Sequence, residues 1–187
     1  MSQEEKTKWN RAYLEKRSHP HFEGDRSVAV DWAESLLPAS AMTLDLGCGL
    51  LRNSFELAQQ GHRVMAIDVA IEAFRHVAAW PETLQPVVMD VDRWSIPVDS
   101  FDLVIMVHYL NRAKLASLAA SIRPGGYLAL EIRVAPDQEA GQESPPFRLL
   151  PGEARTLFPK LQIEKEENFF RGETKCTRAL LHRPLDQ

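Results

Sequence analysis

Between positions 42 and 134, short apolar segments alternate with stretches of helical periodicity, and this alternation constrains the fold more than any other feature. The apolar segments are bounded by Gly, Pro or Asp, which is typical of buried strands. A strand, one helix and a further strand form a right-handed crossover, so the pattern predicts an α/β, doubly wound, mostly parallel sheet with helices on both faces. The predicted strands are 42–46, 63–67, 86–89, 101–107 and 127–134, and the predicted helices between them are 53–60, 70–80 and 111–122.

The carboxyl-terminal part has a different pattern. Residues 161–170 and 174–182 are typical of two strands joined by a tight turn at Arg171-Gly172. Such a hairpin adds two antiparallel strands to the edge of the sheet and brings the total to seven. The preceding stretch, 136–146, is polar and rich in Pro, Gly and Glu, which predicts a loop or lid.

The amino-terminal part is predicted to be helical. Residues 3–17 are charged and place Trp9 and Tyr13 four positions apart, on one face of a helix. A second helix is predicted over 25–37, with Asp25 as its N-cap. The aromatic face either packs on the domain or closes over a site as a lid.

Composition limits the class of protein. The chain has 187 residues, a net charge of −4 and a pI near 5.9, which suits one soluble domain and disfavours a nucleic-acid or anionic-membrane binder. No apolar run approaches the ~18 residues of a membrane helix, and the amino terminus has no apolar signal core, so we expect a cytoplasmic protein. Cys48 and Cys176 lack metal-ligand spacing and are expected to be reduced thiols, with no metal site.

The bend Gly47-Cys48-Gly49 directly follows the first predicted strand. In a doubly wound sheet, ligands bind where strands end and strand order reverses. Glycine lets the backbone approach a ligand there, because it has no Cβ. We interpret Cys48 as a small residue suited to the bend, although a thiol at a helix start can also be an activated nucleophile.

Three carboxylates lie at successive strand ends: Asp45, Asp68 and Asp90. Asp68 follows Asp45 by 23 positions, near the ~20-residue spacing at which an acidic residue holds ribose hydroxyls in dinucleotide-binding folds. A carboxylate offers about four acceptor sites for an amino group or a sugar diol. Each Asp alone is as typical of a turn or helix cap as of a ligand-binding residue. Together with the glycine bend, the three predict a nucleoside-containing ligand.

These residues resemble the class I S-adenosylmethionine-dependent methyltransferases. Their first motif is similar to Leu44-Asp45-Leu46-Gly47-Cys48-Gly49. Their acidic turn and fourth strand are similar to the stretch from Asp90 to Val104, and their turn before the fifth strand is similar to Arg123-Pro124-Gly125-Gly126. The resemblance implies S-adenosyl-L-methionine as cofactor. It implies that Asp45 and the backbone of 47–49 lie near the methionine end of the cofactor, and that Asp68 binds its ribose. It also implies that Asp90 and the Val91 amide bind its adenine. The full implied cofactor set is Asp45, Gly47, Cys48, Gly49, Arg52, Asn53, Asp68, Val69, Asp90, Val91 and His108.

Within this family, Arg52-Asn53-Ser54 and the Trp9/Tyr13 helix resemble the tellurite-resistance branch. The chain departs from the pattern in two places. Leu51 replaces the usual third glycine, so its Cβ is expected to crowd the turn. The branch has a His-Arg pair near the penultimate strand, which aligns here with Phe170-Arg171, so the histidine is absent. The resemblance implies 1–40 as helices and lid, 41–134 as cofactor-binding core, and 135–187 as substrate-side loop and hairpin.

The predicted function is methyl transfer to a small-molecule acceptor: a thiol, a chalcogen oxyanion or a small hydroxyl compound. Candidates for catalysis are His108, Tyr109 and Arg171; a hydroxyl acceptor needs a base such as His108. Arg133 and Arg171 are candidates for attracting an anionic acceptor, while Trp9 and Tyr13 are candidate lid residues. We expect a monomer or a weak homodimer, and neither nucleic acid nor membrane as a partner.

Two other functions stay open. A non-catalytic module that binds S-adenosylmethionine and regulates a partner would use the same bend and carboxylates. A nicotinamide-dependent oxidoreductase shares the strand–glycine–helix arrangement, but its G-x-G-x-x-G motif would require glycine where Arg52 stands.

Overall fold

The computed structural model describes residues 3–16, 26–75, 77–136 and 147–185, and its seven strands form one sheet. The strand order is β3-β2-β1-β4-β5-β7-β6. All neighbours are parallel except those involving the carboxyl-terminal hairpin, where β7 is antiparallel to both β5 and β6. The predicted class I methyltransferase-type, Rossmann-like architecture is confirmed. The strands are β1 (Met42–Leu46), β2 (Arg63–Asp68), β3 (Leu84–Val88), β4 (Phe101–Val107), β5 (Ile122–Arg133), β6 (Gln162–Arg171) and β7 (Thr174–His182).

Strand order reverses between β1 and β4. From β1 the chain builds outward through β2 and β3, and then returns to place β4 on the other side of β1. Leu46 is in register with Met106, so the carboxyl ends of these strands lie side by side. Such a switch point leaves a crevice beyond the strand ends, which is where open α/β sheets bind ligands.

Burial on both faces explains why the central strands are apolar throughout. Along β4, Val104 and Met106 belong to one buried cluster, whereas Leu103 and Ile105 belong to another on the opposite face. All four side chains are fully buried. The edge strand β6 instead exposes charged residues, which discourages pairing with another chain.

Five α-helices occur in the described part of the chain: α1 (Gln3–Lys16), α2 (Val28–Glu34), α3 (Arg52–Gln59), α4 (Leu115–Ser121) and α5 (Ala154–Leu157). None of them is long and apolar enough to cross a membrane. Ser27 caps α2, because its side chain accepts a hydrogen bond from the backbone N–H of Ala29. The predicted cap, Asp25, lies outside the described residues.

Two sequence expectations about secondary structure are wrong. The segment 70–80 contains only the short 3₁₀ helix Ile71–Ala73 among its described residues. Ile71 and Trp80 are nearly half exposed, so this segment has no continuous apolar stripe to pack an α-helix on the sheet. The Pro124-Gly125-Gly126 turn is not outside the fifth strand either; it lies within β5, next to a shift in register between β4 and β5.

Candidate functional site

Asp68, the last residue of β2, is the centre of a hydrogen-bond network at the strand ends. Its Oδ2 accepts hydrogen bonds from the Gly49 amide at 3.0 Å and from the Tyr13 hydroxyl at 3.2 Å. Its Oδ1 accepts one from the Ala70 amide at 2.9 Å. Burial raises the pKa of Asp68, and these three hydrogen bonds oppose that shift. The carboxylate therefore joins the glycine bend of β1 to the start of the loop after β2.

The glycine bend has no room for side chains. Gly47 and Gly49 both have positive φ, at 62° and 54°. A Cβ on Gly47 would lie 2.6 Å from the Tyr109 ring, and one on Gly49 would lie 3.1 Å from the Tyr13 hydroxyl oxygen. The bend is thus held against two aromatic side chains, which only glycine allows.

Leu51 stands where the family has its third glycine, and it adopts the glycine-like conformation with φ 63°. Its side chain is fully buried in the cluster that contains Leu57 and Ala58. The expected crowding is absent, because the side chain points into the core beneath α3. A left-handed L-residue costs about 1–2 kcal/mol, and burial of a leucine side chain contributes a similar or larger amount.

Asp45 lies beneath the bend rather than in an open space. It is 1% exposed and accepts a hydrogen bond of 2.6 Å from the Ser54 hydroxyl. Burial raises the pKa of Asp45 to about 7, and the neighbouring Asp68 adds to that rise. The carboxyl group of Asp45 therefore connects β1 to the first turn of α3.

Cys48 does not have the properties of an activated nucleophile. Its side chain is buried, and burial together with Asp45 and Asp68 raises the pKa of the Cys48 thiol. Its amide donates a 3.0 Å hydrogen bond to the carbonyl of Ile67, which ties the bend to β2. The structure supports the interpretation of Cys48 as a small residue in a tight bend, and both Cys48 and Cys176 are free thiols.

A small cavity of about 50 Å³, here called the strand-tip cavity, lies beyond the carboxyl ends of β1, β2 and β4. Most of its lining side chains were predicted to bind cofactor or to form the lid. Tyr109 was predicted as a candidate for catalysis, and Phe147, Met89 and Ile67 were not predicted as site residues. The lining residues are Trp9, Tyr13, Gly47, Ile67, Asp68, Val69, Met89, Val91, His108, Tyr109 and Phe147.

A larger cavity of about 200 Å³, here called the arginine cavity, shares His108 with the strand-tip cavity. Four arginines and one carboxylate contribute to its wall. His108 lines both cavities, so it stands at the boundary between them. The lining residues are Arg26, Ser27, Val28, Arg52, Asn53, Val107, His108, Glu131, Phe169, Phe170, Arg171 and Arg178.

Glu131 connects the parts of the arginine cavity. It is 7% exposed, and its Oε2 accepts a hydrogen bond of 2.7 Å from the Ser27 hydroxyl and lies 3.6 Å from Nε of Arg178. Its Oε1 lies 4.0 Å from Nε2 of His108. Glu131 was not among the site residues predicted from the sequence, although a carboxylate inside the apolar run of β5 is a signal of a functional role.

His108 has an unusual backbone, with φ 56° directly after β4. Its Nε2 lies 2.5 Å from a terminal nitrogen of Arg171, and guanidinium can only donate, so the ring nitrogen accepts this hydrogen bond. The sequence has Phe170 where the family branch has histidine, yet the fold places a histidine against Arg171 from 63 positions away.

Comparison with known proteins agrees with this geometry. Residues 43–126 match the family model of a methyltransferase domain, whereas no protein of curated function matches the sequence significantly. A 1,6-didemethyltoxoflavin-N1-methyltransferase of Burkholderia thailandensis has a similar structure, with a TM-score of 0.73 and 17% identity over 96% of this chain and 87% of that one. A TehB-like SAM-dependent methyltransferase of Corynebacterium glutamicum is similar with a TM-score of 0.68 and 18% identity, over 95% of this chain and 98% of that one. TehB of Haemophilus influenzae is similar with a TM-score of 0.68 and 16% identity, over 90% of this chain and 65% of that one.

Residues 43–126 are thus similar to a methyltransferase domain, and the chain has the fold of S-adenosylmethionine-dependent methyltransferases. The order of the matched motifs along 43–126 corresponds to β1 through the Gly125-Gly126 bulge of β5.

Of the predicted site residues, Asp90 and Arg133 lie away from both cavities, whereas Asn53 lines one of them. Asp90 caps the 3₁₀ helix Val91–Arg93, where its Oδ1 accepts a hydrogen bond from the Asp92 amide at 3.1 Å. Arg133 is an exposed residue at the end of β5 and lines neither cavity. Asn53 lines the arginine cavity, and its side-chain oxygen accepts a 3.0 Å hydrogen bond from the Ser27 amide.

Proposed function

We propose that this methyltransferase transfers the methyl group of S-adenosylmethionine to a small molecule, with the adenosyl group in the strand-tip cavity and the acceptor in the arginine cavity. The observation that carries this proposal is that His108 lines both cavities. A donor and an acceptor bound on its two sides would be neighbours. Holding reactants in such an arrangement can supply ~7–11 kcal/mol of the barrier to transfer.

The residues of the strand-tip cavity fit the adenosyl group. Asp68 offers carboxylate oxygens for a ribose diol, and Val69 and Val91 offer apolar walls for adenine. The cavity of about 50 Å³ is far below the ~300 Å³ of a typical ligand site. Because Tyr13 bonds to Asp68, we infer that cofactor entry requires Tyr13 to withdraw, which supports the predicted lid role of α1.

Arg52 is the residue that we assign to the methionine carboxylate. It is the first residue of α3, directly after the glycine bend, and it lines the arginine cavity beside His108. Burial and the nearby Arg171 lower the pKa of the Arg52 guanidinium, although Glu131 and Tyr13 oppose this shift. Among the described residues, no carboxylate lies within ion-pair distance of Arg52. A bound carboxylate would offset the unfavourable environment of this charge.

Support for the site comes from residues that we place outside direct contact with the cofactor. Asp45 holds the first turn of α3 through Ser54, and Asn53 holds the start of α2 through the Ser27 amide. Cys48 and Gly49 shape the bend. These contacts position Gly47 and Arg52, so we assign Asp45 and Asn53 as positioning residues.

The electrophilic methyl group is supplied by the sulfonium of the bound cofactor. The chain must align the acceptor and exclude water, and a base is needed only for a weak nucleophile. Because Nε2 of His108 accepts from Arg171, that nitrogen is occupied in this conformation. This favours an acceptor that is already nucleophilic, such as a thiol or a reduced chalcogen oxyanion, over a hydroxyl compound.

The Burkholderia relative was solved with bound 1,6-didemethyltoxoflavin and S-adenosylhomocysteine, a small molecule beside a demethylated cofactor. This supports a small-molecule acceptor for the present chain. The net charge of −4 supports the same proposal, because a nucleic-acid acceptor would favour a basic face. We propose a monomer or weak homodimer for the active form.

Calorimetric titration tests the cofactor assignment. S-adenosylhomocysteine and 5′-methylthioadenosine share the adenosyl group, but only the first has an amino-acid end. We expect Arg52→Met to weaken S-adenosylhomocysteine binding about 10–100-fold while leaving methylthioadenosine within about twofold, because a hydrogen bond to a charged group contributes ~1.5–3 kcal/mol. Asp68→Asn should weaken both ligands. Equal effects of Arg52→Met on the two ligands would contradict the assignment.

Turnover separates the enzyme from the regulatory module. The wild-type chain is incubated with methyl-labelled S-adenosylmethionine and thiols, selenite, tellurite or small phenols. We expect labelled product with at least one soft acceptor. Cofactor binding without product from any class would favour the non-catalytic module instead.

A further inference from the structure

The arginine cavity has more positive charge than its own carboxylates neutralise. Arg26 is paired with Asp31, Glu34 and Glu56 on the outer side, so its charge is met. Arg178 lies near Glu131 and, at 3.9 Å, near Glu167. Two further guanidinium groups, those of Arg52 and Arg171, have no carboxylate within ion-pair distance among the described residues.

Arg171 is placed to bind a ligand. It ends β6 at the tip of the carboxyl-terminal hairpin and is exposed. One of its terminal nitrogens donates to Nε2 of His108, which orients the guanidinium at the boundary between the two cavities. Arginine has five N–H donors in a rigid fork, so donors are left for a second partner. The geometry of that fork matches a carboxylate.

The walls of the cavity indicate an organic ligand. Val107, Phe169 and Phe170 contribute apolar surface, and the Phe169 ring lies 3.6 Å below the guanidinium of Arg178. The volume of about 200 Å³ is several times the ~30 Å³ of one water molecule. Cationic and apolar surfaces together suit a molecule with a charged end and a hydrocarbon body.

We propose that the methyl acceptor is a small organic acid, whose carboxylate is bound by Arg171 and whose nucleophilic atom faces the strand-tip cavity across His108. This inference rests on the proposed function, because it assigns the arginine cavity to the acceptor. It leaves Arg52 for the carboxylate of the cofactor. The cavity thus holds two anionic groups on two different arginines.

For a thiol acid, the reaction balances without a further reactant. The acceptor sulfur forms a bond to the methyl carbon as the carbon–sulfonium bond breaks. The electron pair goes to the cofactor sulfur, which leaves as a neutral thioether. The thiol proton is lost to solvent.

The test uses a pair of probes that differ in charge. 2-Mercaptobenzoate and 2-mercaptobenzamide are titrated into the chain saturated with S-adenosylhomocysteine. We expect the wild-type protein to bind the acid at least about tenfold more tightly than the amide. Arg171→Met should reduce this preference to within about twofold, and Arg171→Lys should retain part of it. Arg63→Met is the control, because Arg63 is exposed at the opposite end of the sheet, where β2 begins.

Each outcome decides between the two proposals. Equal affinity for acid and amide, or a preference that Arg171→Met leaves unchanged, would overturn the organic-acid inference, while methylation of neutral thiols would leave the proposed function intact. Failure of the wild-type chain to bind S-adenosylhomocysteine in the first step would overturn the proposed function, and the inference with it.

Discussion

The hydroxyl group of Tyr13 donates a hydrogen bond to Oδ2 of Asp68 across 3.2 Å, and this contact brings α1 onto the sheet from 55 positions away. Burial and the nearby Asp68 raise the pKa of the Tyr13 hydroxyl, so it stays a protonated donor. Trp9 packs beside it, with the two ring centroids 6.1 Å apart. The predicted aromatic face of the first helix is therefore directed at the carboxylate that we assign to the ribose.

Removal of the Tyr13 hydroxyl should strengthen cofactor binding. In the wild type, Asp68 must give up its hydrogen bond from Tyr13 before it can bind the ribose. In Tyr13→Phe this hydrogen bond is absent, so none is lost when the ribose enters. A hydrogen bond of this kind contributes ~1 kcal/mol, so we expect S-adenosylhomocysteine to bind about fivefold more tightly by calorimetry. The control is Tyr127→Phe, which removes a hydroxyl from a ring that packs on His182. Weaker binding by Tyr13→Phe would show that the hydroxyl contacts the cofactor instead.

Substitutions at Leu51 should show that its backbone is strained. Leu51→Ala and Leu51→Gly both remove a fully buried side chain, which costs about 2–5 kcal/mol. Glycine also relieves the left-handed φ of 63°, so we expect Leu51→Gly to be about 1 kcal/mol more stable than Leu51→Ala in urea denaturation. At Leu57, buried in the helical part of α3, the order should reverse, because glycine costs ~1 kcal/mol in a helix. The same order at both positions would contradict this account.

Asp45 should make the fold less stable as pH rises from about 4 to about 7. Its pKa is about 7 in the folded chain and about 3.9 when unfolded, so the unfolded chain loses its proton first. Within this window the free energy of unfolding should fall, by up to ~1.4 kcal/mol per pH unit, and level off above it. The measurement is urea denaturation of wild type and Asp45→Asn from pH 4 to 8. Their difference in stability should decrease with pH; a constant or increasing difference would refute the prediction.

His108 should contribute to alignment more than to proton transfer. A general base contributes 10²–10⁴-fold, whereas we expect His108→Asn to lower kcat with thiol acceptors by less than tenfold. Asparagine tolerates the left-handed region, so the φ of 56° is preserved in this variant. The rate should follow ionisation of the acceptor thiol in a pH profile. A loss of 100-fold or more, with disappearance of an ionisation near neutral pH, would assign His108 as the base.

Local patterns in the sequence predicted most of the sheet. The boundaries of β1 and β4 were predicted correctly, because an unbroken apolar segment between glycine, proline or acidic residues has few alternatives to a buried strand. The glycine bend was also predicted, since its positive φ angles require residues without a Cβ or with special stabilisation. The helix over 70–80 was wrong, because a helical pattern without a partner surface does not establish packing.

The sequence by itself determined the alternation of strands and helices and the position of the bend, since both depend on residues close together in the chain. Only the tertiary structure decided that Asp45 lies beneath the bend, that Tyr13 bonds to Asp68, and that His108 contacts Arg171. These relationships depend on how separate elements pack against each other. The periodicity of a segment indicates which of its faces is buried, but not which distant side chains that face contacts.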